Sequence, residues 1–141
     1  MNTAAEFTRV RRVLAALFAL GSLGTATELV LMEHTEGVWQ NLPLVLIAGA
    51  GLAMPALAIW PGRAQLRSLQ IVLSLFVVSG VAGILLHYRG NSEFERELNP
   101  DAAGIELFWQ SMKGATPALA PGTMILLGAL GFVYVRLNGR E

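Results

Sequence analysis

The sequence predicts an all-α integral membrane protein, with four transmembrane helices in an antiparallel bundle and a short outer amphipathic segment between helices 3 and 4. Two observations carry that prediction. Apolar residues gather in four blocks, 13–32, 42–60, 69–86 and 116–135. Each block is close to the ~20 residues that cross ~30 Å of hydrocarbon at 1.5 Å per residue. Charged residues make up only 14% of the chain, against roughly a quarter in soluble domains, and Glu28 is the one charge inside the blocks. The chain 1–141 reads as a single domain, with helices at about 13–34, 42–60, 68–88 and 116–136 and an extracytoplasmic segment at 89–115.

Helix 1 follows Arg9, Arg11 and Arg12. These arginines and the apolar residues after them have the look of a signal peptide, with Gly24, Thr25 and Ala26 as small residues near a cleavage point. The apolar run continues through Met32, longer than such a segment needs, so an uncut helix is expected. Gly21, Gly24 and Glu28 recur at i, i+3 and i+7 and share one face. Glycines let a neighbouring backbone come close, so that face, and Glu28 with it, is expected to meet another helix. Thr25 lies one turn below Glu28.

The connection 33–41 carries Glu33, His34 and Glu36. Asn41 is the expected N-cap of helix 2, with Pro43 in its first turn. Pro55 is expected to kink helix 2, and Trp60, Pro61 and Gly62 to stop it. Helix 3 repeats the spacing of helix 1: Gly80, Gly83 and His87 stand at i, i+3 and i+7. Glu28 and His87 are therefore expected at similar heights on a shared face. Gly90 and Asn91 predict a turn, and 93–98 a short charged helix. Ile105, Leu107, Phe108 and Met112 predict a second short helix, capped at Asp101 and anchored at the membrane surface by Trp109. Pro117 and Pro121 mark the start of helix 4, and Gly128 and Gly131 again offer a small-residue face.

Flanking charge sets the expected orientation. Seven cationic residues (Arg9, Arg11, Arg12, Arg63, Arg67, Arg136 and Arg140) fall on one side and three (Arg89, Arg96 and Lys113) on the other. Both termini are therefore expected in the cytoplasm of a cell whose inner membrane holds the protein. The other side collects most of the carboxylates and both histidines. With zero net charge the chain offers no basic face for nucleic acid, and with no cysteine it has no disulfide or thiolate chemistry.

The candidate metal-ligating residues are Glu28, Glu33, His34, Glu36, His87, Glu93 and Glu95, with Asn91 beside them. Carboxylate oxygens and neutral imidazoles suit divalent transition metals, and an ionisable residue within a membrane helix points to function. Glu33 and His34 diverge by ~100° on a helix and would share an ion only if the helix has ended. Glu33 and Glu36, at i and i+3, would share one on a helix face. The first expectation is thus a non-enzymatic protein that binds or helps transport a cation or metal. Two alternatives stand beside it. One is a membrane assembly subunit, a homodimer or part of a larger complex, packing through its glycine faces. The other is a b-type haem protein with His34 and His87 as axial ligands. A Glu28–His87 ion pair would instead lock helix 1 to helix 3 without any ligand.

Overall fold

A computed structural model describes residues 3–138, and all its regular structure is helical. The helices are α1 (Thr3–Leu31), α2 (Val38–Ile59), α3 (Arg63–Leu98), α4 (Gly104–Lys113) and α5 (Gly122–Asn138). α1, α2 and α3 are each long and apolar enough to cross a membrane. Their outward faces carry large apolar side chains such as Leu20, Leu23, Leu52 and Ile71, all more than 60% exposed. Such surfaces suit hydrocarbon, and the protein is membrane-embedded. α5 is equally apolar but spans 17 residues.

α3 is the central element. α5 and α2 pack along it, α1 packs on α5, and a lighter contact joins α1 to α2. The core is formed by Phe18 of α1, Leu46, Ala50, Met54 and Leu57 of α2, Leu69, Leu73 and Phe76 of α3, and Met124, Leu127, Tyr134 and Val135 of α5. Phe18 and Phe76 meet with ring centres 5.7 Å apart. At one end, Arg11 of α1 donates a hydrogen bond to Asn138 Oδ1 of α5 over 3.3 Å. Arg140, counted among the flanking charges, lies outside the described residues.

The glycine faces do pack, but on α5. A Cβ at Gly21 would lie 2.8 Å from Leu127 Cδ2, one at Gly80 would lie 2.6 Å from Ile125 Cγ1, and one at Gly83 would lie 2.6 Å from Pro121 Cβ. α5 answers with its own glycines. A Cβ at Gly128 would lie 2.7 Å from Val77 Cγ2, and one at Gly131 would collide with the Leu73 side chain. Glycines on both helices thus bring the backbones of α3 and α5 together. Gly24 faces open space.

Several boundaries differ from the sequence expectation. α1 ends at Leu31 rather than 34 and closes with paired reverse bonds. His34 N–H donates to the Leu29 carbonyl at 2.9 Å and Glu33 N–H to the Val30 carbonyl at 3.1 Å, with Glu33 in the left-handed region at φ 52°. This is the glycine-type helix stop, here built on a glutamate. α2 begins at Val38 with Gly37 as its N-cap, so Asn41 is no cap. Its side chain instead donates back to the carbonyls of Thr35 and Gly37 at 2.8 and 3.0 Å. Pro43 and Pro55 both lie inside the helix.

The largest difference is α3. The turn expected at Gly90 and Asn91 is absent, and the helix runs unbroken through the charged 93–98 segment, 36 residues in all. A residue type suited to turns stays helical there because its side chain finds partners outside the helix. Asn91 is buried and makes four hydrogen bonds. Its amide donates to the carbonyls of Ser111 and Thr116 at 2.8 and 2.6 Å. Its oxygen accepts from the Thr116 hydroxyl at 2.8 Å and the Thr116 N–H at 3.3 Å. α4 then lies along α3, burying Leu107 and Ser111 and setting the Phe108 ring against that of Tyr88, tilted, with centres 5.9 Å apart. Its N-cap is Ala103, not Asp101. Pro117 to Pro121 form turns, and α5 starts at Gly122, so these prolines mark a helix start.

Candidate functional site

At the end of the molecule where α1 stops, the chain reversal at Glu33 carries His34 toward α3. There its ring meets that of His87, edge to face, with centres 6.1 Å apart. His87 sits one turn beyond Gly83, where α3 leaves the close approach to Pro121. Its Nδ1 lies 3.2 Å from the Pro117 carbonyl. A carbonyl only accepts, so a hydrogen bond there puts a proton on Nδ1, and in the neutral ring the lone pair is then on Nε2. Both rings are half-buried. Metal-ligating histidines commonly hold their second nitrogen in this way. A shared ion bonded at ~2.0–2.1 Å to one nitrogen of each ring places ring centres roughly 5–6 Å apart, close to the separation seen.

The carboxylates are arranged otherwise. Glu28 is exposed. The face expected to meet another helix is covered only at Gly21, by Leu127 of α5, while Gly80 and Gly83 of α3 pack on Ile125 and Pro121 rather than on α1. Among the described residues no ion pair joins Glu28 to His87, and Thr25 makes no hydrogen bond to Glu28. The nearby Thr27 hydroxyl donates to the Leu23 carbonyl at 2.8 Å. Glu33 and Glu36 are exposed on the α1–α2 connection. Because α1 has ended at Leu31, the helical ~100° divergence no longer applies to Glu33 and His34. Glu36 offers its N–H to Gln40 Oε1 at 2.8 Å, which ties the connection to the first turn of α2. Glu93 is engaged by Arg89, Nε to Oε1 at 2.8 Å, on an exposed stretch of α3. Glu95 lies half-buried on the same helix. Among the described residues no group of three or more His, Asp or Glu is placed to hold a metal ion. What the structure brings together is the histidine pair. Asn91, beside the candidate set in sequence, is wholly engaged in holding the α4–α5 connection.

Sequence reasoning joined Glu28 to His87 by matched glycine spacing, and set His34 beside His87 only in the haem alternative. The signal for it was the break in the apolar run after Met32, which frees the following residues from the helix. The fold and this pairing define a helical membrane-embedded protein with a two-histidine cluster at one end. No family model, no curated protein and no solved structure matches the chain.

Proposed function

We propose that the chain is a four-span protein of the cytoplasmic membrane, its helices antiparallel and both termini inside, that binds a divalent transition-metal cation at its outer end. His34 and His87 are the first ligands, and water completes the shell; the carboxylates Glu33, Glu36, Glu93 and Glu95 add negative charge to that end of the molecule without joining the two rings, among the described residues, in a larger cluster. The observation that carries this reading is the contact of the two imidazoles, one with its Nδ1 held by a backbone carbonyl. The Arg11–Asn138 hydrogen bond supports termini on one side. The pairing of Leu73 with Gly131 and of Gly83 with Pro121 supports opposite directions for α3 and α5.

The test is elemental analysis of detergent-purified protein after equilibration with zinc, manganese or nickel. Near-stoichiometric metal is expected in the wild type, lost in a His34→Ala, His87→Ala double variant and largely retained in Glu28→Ala. Protons compete with metal for imidazole, so occupancy falls as the pH is lowered. Equal metal content in wild type and double variant overturns the reading. Iron with a visible absorption band in the wild type moves the answer to haem on the same two histidines.

A second reading rests on the uncovered face of α1. Gly24 has nothing within 4 Å of an added Cβ, and Glu28 lies beside it with Leu20 and Leu31 at 69% and 77% exposure. A carboxylate facing lipid is costly. A second copy, or another subunit of a larger complex, covering this face would remove that cost. The chain lacks cysteine, so a single Gly24→Cys variant in native membranes gives disulfide-linked dimers if a second copy lies there and none if it does not.

A further inference from the structure

We infer that Asn91 is a positioning residue for the histidine pair: it holds the Pro117 carbonyl against His87 and so fixes which nitrogen of that ring is free to bind an ion. What the ring binds rests on the metal reading above; how the ring is held rests on the fold alone.

The connection 114–121 runs back along one side of α3 and meets it at successive turns. Gly83, His87 and Asn91 stand at i, i+4 and i+8, a spacing that sets residues along one helix face. At the Gly83 end the chain is pressed onto the helix, where an added Cβ would lie 2.6 Å from Pro121 Cβ. At the other end Asn91 grips Thr116 from both sides. Its Nδ2 donates to the Thr116 carbonyl at 2.6 Å, and its Oδ1 accepts from the Thr116 hydroxyl and N–H at 2.8 and 3.3 Å. Gly114 passes so near that a Cβ there would lie 2.6 Å from Asn91 Cγ. Between these two holds stands the Pro117 carbonyl, 3.2 Å from His87 Nδ1.

The piece between the holds has little freedom. Thr116 is bonded directly to Pro117, and the rings of Pro117 and Pro121 each fix φ near about −65°. Ala118 is buried. The Pro117 carbonyl also accepts the Ala120 N–H at 3.1 Å, so the turn sets its direction, and its second lone pair remains for His87.

The location of the ring proton follows. A neutral imidazole carries one proton on either nitrogen, and its neighbours decide which. With the carbonyl held at Nδ1 the proton stays there and Nε2 is bare for an ion. Once the hold is lost both forms are populated, and the form protonated on Nε2 must rearrange before that nitrogen can ligate. Partners that orient a ligating histidine commonly carry ~10–100-fold in metal affinity.

The test reads the proton directly. The chain has two histidines, so nitrogen NMR of histidine-labelled, full-length, metal-free protein in nanodiscs reports two rings, and His34→Gln assigns His87. Wild-type His87 is expected to carry its proton on Nδ1. Asn91→Ala is expected to populate both forms and to bind zinc ~10–100-fold more weakly. Thr116→Val, a milder change that removes one hydroxyl from the grip, is expected to move both readouts the same way by less. Ser111→Ala, which takes away a buried hydroxyl bonded to the Leu107 carbonyl and leaves the grip intact, is expected to move neither. A proton on Nε2 in the wild type overturns the inference, as do Asn91→Ala and Thr116→Val variants that keep the wild-type tautomer and zinc affinity. A wild type with its proton on Nδ1 that binds no zinc supports the positioning and overturns the metal reading instead.

Discussion

Asn91 and Glu33 show how single side chains set the geometry of the histidine end. Asn91 gives the carbonyls of Ser111 and Thr116 their hydrogen-bond donor at a buried position. Removing it takes the amide donor from the buried Ser111 carbonyl, which keeps only the Gly114 N–H at 3.5 Å, and from the part-buried Thr116 carbonyl; an unmet buried carbonyl costs about 1–3 kcal/mol. Asn91→Ala is therefore expected to destabilise the protein by roughly 2–4 kcal/mol, measured by denaturant titration in detergent. An unchanged midpoint would mean that water replaces the amide. Glu33 works in the opposite sense. A non-glycine residue at φ 52° carries a left-handed penalty of ~1–2 kcal/mol. Glu33→Gly is expected to raise stability by up to ~1 kcal/mol, read in the same titration. If the variant also loses metal affinity, the carboxylate is a ligand kept at the expense of stability. Neither role was legible in the sequence. Asn91 carries turn chemistry, and only its distant partners keep it helical. Glu33 is an ordinary interfacial acid until the chain direction is known.

At the scale of the helices, the apolar blocks were read correctly as the long apolar helices α1, α2 and α3, because burial in hydrocarbon dictates length and composition together. Their polar ends were read less well. Capping and turn signals at Asn41, Gly90 and Asp101 were overridden by tertiary contacts or by neighbours better placed to cap. The small-residue faces were also legible, but a glycine pattern does not say which neighbour it meets. The structure yields a sharp contrast here. Gly128→Leu places a side chain where Val77 Cγ2 is 2.7 Å and the Leu73 carbonyl 3.1 Å from the first added carbon. Gly24→Leu meets nothing within 4 Å. The first is expected to cost ~1–3 kcal/mol or more by overpacking, the second to leave protomer stability unchanged. A Gly24→Leu variant that falls apart on a sizing column while staying folded would place a partner on that face.

For the whole molecule, the proposed topology makes an accessibility prediction. The absence of cysteine means that single cysteines can be introduced without background. Cysteines at Glu36 and Glu97 are expected to react with a membrane-impermeant maleimide in intact cells, and cysteines at Arg63 and Arg136 only after lysis. The reverse pattern would turn the molecule over and put the histidine pair inside. The composition that made membrane residence legible, four apolar blocks with one internal charge, carries no information about cargo. The candidate site was legible only as a set of polar residues near one boundary. The distances that select two of them depend on how α5 wedges between α1 and α3.

The unbroken course of α3 has a mechanical consequence. From Leu86, the end of its apolar run, to Leu98 the helix rises about 18 Å along its axis at 1.5 Å per residue. α4 and the Asn91 hydrogen bonds brace that stretch as a strut. A body seated on its tip is held at a fixed stand-off from the lipid. A push or twist applied there passes along one stiff rod to Arg63, with no joint in between to absorb it.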